Sequence, residues 1–175
     1  MAKGCLEKLT GNLLTTCDLE ALGVLDLYLI YPEDVTLTLS ESNRQVSAIA
    51  FTTGAKSYRV EGYKQNIQIT SSLLSTDVSD RNDISITFKV PAKMQSMWSA
   101  IQSGKFYVLE VPANQVNFFA LWGINAPLVC TGFEYDSNSN GRMATVTLSA
   151  PEGSAGNHRC YCSAAVKDSI IAKSA

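Results

Sequence analysis

At 175 residues, the chain is long enough to bury a core as one domain without disulfides or metal. Charged residues make up 17% of it and hydrophobic ones 46%, with a formal net charge of -2. That balance excludes the clustered Lys and Arg on which duplex binding depends, and it leaves a polar, uncharged and partly apolar surface of the kind that partners cover.

Residues 1–23 are the least regular part, with Cys5 and Cys17 bracketing LEKLTGNLLTT and a DLEAL segment able to make one helical turn on an Asp18 N-cap. No apolar h-region follows the early lysines, and no run approaches the roughly 18 apolar residues of a membrane helix. The expectation is synthesis in a cytoplasm, no membrane contact, and thiols rather than a disulfide framework. VLDLYLIY, Val24 to Tyr31, is a β-prone run that is apolar on both faces except for Asp26, and Pro32 closes it. VTLTLS follows with clean alternation, placing Val35, Leu37 and Leu39 on one face. After a polar loop, Glu41 to Gln45, VSAIAFT and KSYRVEGYK are expected to pair as a hairpin around Thr53-Gly54-Ala55.

NIQITSSLL and DISITFKV make another pair across a polar loop, Ser75 to Asn82, which carries Asp77, Asp80, Arg81 and Asn82. Such a tip either touches a neighbour or lines a wet surface. Pro91 then opens the one good helix, about 92–103, with Met94, Met97, Trp98 and Ile101 on one face and Gly104 past its end. Lys105 to Leu148 reads as a four-strand meander, KFYVLEV, VNFFALW, LVCTGFEY and RMATVTL, separated by turn-rich segments. A Gly-rich tail from Ala150 follows, then HRCYCSAA as a last strand and VKDSIIAKSA as a frayed or docked end. The fold expected is mainly β: a β-sandwich or partly closed barrel of about nine or ten strands with one flanking α-helix. It forms a single domain over 1–175, with a less regular segment 1–23 and a C-terminal tail 150–175.

Chemistry-bearing clusters are scarce. His158, Cys160 and Cys162 would share a face of a strand and are the weak metal candidate, yet three ligands in line cannot complete a tetrahedron. Buried or interfacial thiols are the preferred reading. The single histidine lies in a Gly-rich region, and no Gly-x-Ser-x-Gly elbow exists, so no catalytic residue is assigned. Glu110, Glu134 and Asp136 are on or beside adjacent predicted strands and could approach one another, without further support for a glycosidase pair. Asp136, Asn138 and Asn140 alternate like calcium ligands, but Thr147 stands where a bidentate glutamate belongs; a long hairpin with Asn-Gly chemistry is the better reading. No cofactor is expected. Phe106, Tyr107, Phe118, Phe119, Trp122, Phe133 and Tyr135 crowd the late meander, half of them core by alternation and half available to an interface or a carbohydrate platform.

Three segments carry a resemblance. The opening from Cys5 to Cys17 followed by DLEALGVLDLYLIYPEDV, the order DISITFKV, helix, GKFYVLEV, and LWGINAPLVCTGFEYDSNSNGRMATVTLSAPEG resemble small β-rich tail-tube or tail-hub subunits of phages of Bacteroidota. The resemblance implies a non-enzymatic virion structural protein, assembled in the host cytoplasm into a homo-oligomeric ring expected to be hexameric. Its sheets would join into a conduit through which DNA passes without specific binding, and its partners would be other tail or head-tail connector proteins. Asp77, Asp80, Arg81, Asn82, Asp136, Asn138 and Asn140 then become interface or lumen loops. The alternative, from a different class, is a monomeric β-sandwich module binding glycans or peptides; a hydrolase with carboxylate chemistry is a weaker third.

Overall fold

In a computed structural model of the protein, residues 23–40, 45–62, 66–75, 80–112, 119–138, 142–151 and 160–175 are described, the side chains of 73–75 and 80–82 excepted. They form eleven strands: β1 (Val24–Ile30), β2 (Val35–Leu39), β3 (Gln45–Phe51), β4 (Tyr58–Glu61), β5 (Gln68–Ser75), β6 (Asp80–Pro91), β7 (Lys105–Pro112), β8 (Phe119–Trp122), β9 (Leu128–Tyr135), β10 (Met143–Ser149) and β11 (Cys160–Cys162). Two helices accompany them, α1 (Trp98–Ser103) and α2 (Ala164–Ile171). The fold is mainly β and sandwich-like with a flanking helix, as the alternation in the sequence implies.

The strands follow the order β2-β3-β11-β8-β7-β9-β10-β6-β5, with β1 pairing β4 and β7 beside that path. β7 is the hinge of the architecture. Its start, Lys105 and Phe106, pairs with β9, whereas residues 108–110 pair with β8 and its length pairs with β1. Leu27 and Leu29 of β1 share a buried cluster with Ile84, Ile86 and Phe88 of β6, although β7, β9 and β10 separate the two strands along the sheet. The sheet therefore folds over at β7, and its halves face one another. One layer is β9-β10-β6-β5; the other is built around β1, β7, β8, β11 and β3.

The second layer is covered on both faces. Tyr28, Ile30, Leu109, Leu121, Cys160 and Cys162 point away from the first cluster and pack with Val166 and Ile170 of α2. Burial of each of those two helix residues, 3% and 0% exposed, contributes roughly 1.5–3 kcal/mol. This is why VLDLYLI carries apolar residues at both parities, the pattern of a strand buried on both faces. α2 starts on Ser163, whose Oγ accepts from the Val166 N–H at 3.3 Å. Its far end is tied by Ser57, fully buried, whose Oγ donates to the Ile170 carbonyl at 2.7 Å. The Ser57 N–H also donates to the Lys173 carbonyl, and the Ala175 N–H donates to that of Ser57. The segment expected as frayed or docked is thus a capped, docked helix.

Several local expectations are corrected. β3 and β4 do not pair with each other: β3 lies between β2 and β11, and β4 crosses to β1. The turn at Gly54 exists, with φ 84, but Ser57 is committed to the C-terminal segment and steers the chain away. Gly62 completes the crossing by donating its N–H to the Leu25 carbonyl at 2.8 Å, an approach so close that a Cβ there would overlap that carbonyl. The late meander is also interrupted, because β8 and β9 both pair with β7 rather than with each other. The helix over 92–103 is a 3₁₀ segment from Ala92 to Met97 followed by α1, with Met94 outside helical dihedrals at φ -99 and ψ 23. Trp98 and Ile101 pack onto the first cluster, while Met94 and Met97 stay 42% and 43% exposed.

Candidate functional site

The most distinctive surface is the outer face of β9-β10-β6-β5. Alternation sends Ala144, Val146 and Leu148 of β10 and Ile84, Ile86, Phe88 and Val90 of β6 into the core. The residues between them face outward: Thr145, Thr147 and Ser149 on β10, and Asp83, Ser85, Thr87 and Lys89 on β6. Across β5 the partners in register are Gln68 with Thr87, Thr70 with Ser85, and Ser72 with Asp83. β9 adds Thr131 and Glu134.

Hydroxyls dominate this face and bond to one another. Thr87 and Thr147 meet Oγ1 to Oγ1 at 3.4 Å, Thr131 donates to Ser149 Oγ at 3.0 Å, and Thr70 donates to the Ser85 carbonyl at 3.3 Å. β-branched threonine suits a strand and holds its hydroxyl in a fixed direction. The charges among these residues are Asp83 and Glu134 against Lys89, a slight excess of negative charge. Several hydroxyls are thus engaged by neighbours, and the face shows no cluster of Lys or Arg among the described residues.

The loop residues expected from the sequence divide between strand, tip and undescribed chain. Asp80, Arg81 and Asn82 are not loop residues: they extend β6 and pair with Ser75, Leu74 and Leu73. β10 pairs with β6 only from Ser85 to Pro91, so the distal part of the β5–β6 ribbon reaches past its neighbour strand. Asp136 and Asn138 lie at an exposed hairpin tip, where the Asn138 N–H donates to Asp136 Oδ1 at 2.8 Å. That is an Asx-turn, and it occupies the carboxylate locally. Asp77, Asn140 and His158, with Cys5 and Cys17, lie outside the described residues.

Cys160 and Cys162 are 1% and 5% exposed, packed in the cluster beneath α2. Burial pushes the Cys160 thiol up, and the Cys162 thiol is pushed up to about 12, by burial first and by Cys160 second, with Lys167 opposing. Protonated thiols of this kind are neither nucleophiles nor ready metal ligands. Among the described residues no three His, Cys, Asp or Glu come together as a metal group. The carboxylates do not converge either. Lys105 pairs with Val129, and Glu110 and Glu134 each lie five residues beyond that pair in opposite directions. At ~3.3 Å per residue they sit on the order of 30 Å apart along the strands. Glu110 Oε2 instead accepts from Trp122 Nε1 at 2.9 Å.

One polar pair was visible in the sequence only as an exception. Asp26, 6% exposed, meets Arg59 of β4 with Oδ2 to Nη2 at 3.1 Å, and its Oδ1 has no hydrogen-bond partner. The bond to Asp26 raises the Arg59 guanidinium further above its already high value. No helix among the described residues is long and apolar enough to cross a membrane. No family model matches the chain, and comparisons with curated proteins and with solved structures gave no match.

Proposed function

We propose that the chain is a virion structural subunit, a tail-tube or tail-hub protein of a bacteriophage, that assembles with copies of itself into a ring around a DNA conduit. The observation that carries this reading is the hydroxyl-lined, nearly neutral outer face of β9-β10-β6-β5, left uncovered by any described element. Set toward a lumen, such a face lets DNA slide, because a basic wall would hold phosphates.

The edges support the same reading. Among the described residues, β5 and β2 end the sheet path, and β4 is a third edge. β4 carries Arg59 and Glu61, charges of the kind that protect an edge, whereas β2 is VTLTL and β5 begins QITSS, with no charge or proline. Unprotected edges fit head-to-tail pairing with a neighbouring copy, which closes a ring when the rotation per subunit allows it. Ring order, the place along the tail and the connector or tail proteins that adjoin it follow from the assembly, with six copies the expected order.

A second reading, a monomeric glycan- or peptide-binding module, is favoured by one feature: Trp98 packs against Phe133 and Tyr135 in tilted ring contacts at 5.2 Å each, and Tyr135 is 42% exposed. Mass photometry and negative-stain microscopy of the purified full chain at rising concentration separate the two. Rings or tubes support the first; a strict monomer that binds on a glycan array supports the second and sinks the first.

A further inference from the structure

We propose that the C-terminal module, β11 with α2, is exchangeable between copies: residues 160–175 of one chain dock in the slot between β3 and β8 of another. Two copies suffice, so the proposal does not rest on the DNA conduit.

β11 is the last strand of the chain, yet it lies inside the sheet. It runs parallel to β3, with Cys162 opposite Val46, and antiparallel to β8, with Cys160 opposite Leu121 and Cys162 opposite Phe119. In the strand order β11 alone joins the β2–β3 hairpin to β8 among the described residues. α2 covers the same slot. Val166 and Ile170 are buried with Val46, Leu109 and Leu121, Lys167 sits over the Phe119 ring at 4.6 Å, and Ser57 ties the far end.

None of these partners adjoins the module in the chain. β10, the strand before it, pairs with β6 and β9 instead. Each contact made within one chain is therefore available unchanged between two, because a second copy offers the same slot and the same occupant. A chain end can also leave its place without threading a loop. With the module out, β3 and β8 both present open ladders and the apolar cluster beneath α2 loses its cover, so an empty slot takes the nearest matching strand and helix.

The module and the strand before it are joined by residues 150–159. At ~3.5 Å per residue that connection spans at most about 35 Å, and a tether of this length gives the module an effective concentration on the order of mM at its own slot. A copy held alongside in an assembly reaches the same range, whereas dilute copies do not. Exchange is expected in assemblies and at high concentration, and docking within one chain in the dilute monomer.

The test uses full chains carrying Tyr161→p-benzoylphenylalanine, a position that is 42% exposed and stands opposite Gln45 of β3 and Ala120 of β8. Equal amounts of ¹⁴N and ¹⁵N chains are mixed in urea, refolded together at about 1 mM, irradiated and separated by size, and the cross-linked peptides are read by mass spectrometry. Exchange predicts that about half of the links from position 161 to β3 or β8 peptides in the oligomer fraction join different isotopes, the ratio for random mixing. The monomer fraction should give same-isotope links. The reverse probe, replacing Gln45 at the exposed start of β3, should capture the 160–167 peptide in the same ratio, and it decides the matter should the first variant not fold. Same-isotope links alone in every fraction overturn the proposal. Rings or tubes with only such links overturn exchange and leave the ring reading standing; mixed-isotope links in a dimer without rings do the reverse.

Discussion

Replacing Cys162 by alanine should flatten the alkaline stability profile. In the folded chain the Cys162 thiol is pushed up from 9.0 to about 12, chiefly by burial. At pH 8 the thiol is protonated in both the folded and the unfolded chain. At pH 10 the unfolded chain has released most of that proton and the folded chain has kept it. The unfolded state then binds fewer protons, so stability falls as pH rises. The loss begins near the ordinary thiol value and continues until pH reaches about 12. At pH 10 it amounts to about 1.4 kcal/mol. Urea unfolding under reducing conditions at pH 8 and pH 10, followed by ellipticity, measures it. Wild type should lose about 1.4 kcal/mol more than Cys162→Ala across that interval. The buried tyrosines, whose hydroxyls are also raised, are common to both proteins and cancel. A difference below about 0.4 kcal/mol would refute the account of Cys162 as a core thiol. A metal-ligating thiolate predicts the opposite sign, because its value would be lowered.

Arg59→Met should destabilise the chain by about 2 kcal/mol: an unpaired buried carboxylate costs several kcal/mol, discounted because the Arg59 side chain is 47% exposed. Adding Asp26→Asn should recover roughly half of that loss; urea melts of the cycle check it, and a single variant within about 0.5 kcal/mol of wild type would show the pair to be solvated. Ser57→Ala should cost about 1–2 kcal/mol and speed proteolysis of the α2 segment, though the Ile170 carbonyl keeps the Lys173 N–H at 3.2 Å. Thr70→Lys should leave the monomer's melting within about 0.5 kcal/mol of wild type. On the proposed ring it should lower the assembled fraction in mass photometry, because it places a charge at the open β5 edge.

Much of the fold was legible because period-two alternation is local. Ile84, Ile86, Phe88 and Val90, or Ala144, Val146 and Leu148, announce their strand and its buried face without reference to any partner. Pairing was less legible. Nothing near Thr53-Gly54-Ala55 indicates that Ser57 will be held by residues 170–175, and that distant contact defeats the local hairpin. The two-faced burial of VLDLYLI was visible, but which elements cover it was not, since α2 lacks a strong apolar stripe and buries only Val166 and Ile170. The site followed the same division. Asp26 stood out as the polar exception in an apolar run, while its partner Arg59 lies on a strand expected to pair elsewhere. The hydroxyl face could have been read from TFK in β6 and TVTLS in β10 by taking the outward parity as seriously as the inward one.

The low charge of the chain has a physical reason in this architecture. A strand layer covered on both faces has no surface on which to place charge, and here that layer holds β1, β7, β8 and β11. Charge must then go to the other layer, to loops, or to edges. The outer layer gives most of its outward positions to threonine and serine, with Asp83, Lys89 and Glu134 among them, and of the three edges among the described residues only β4 carries charges, Arg59 and Glu61. On the proposed ring, the uncharged β2 and β5 edges, open among the described residues, are where neighbouring copies would pair.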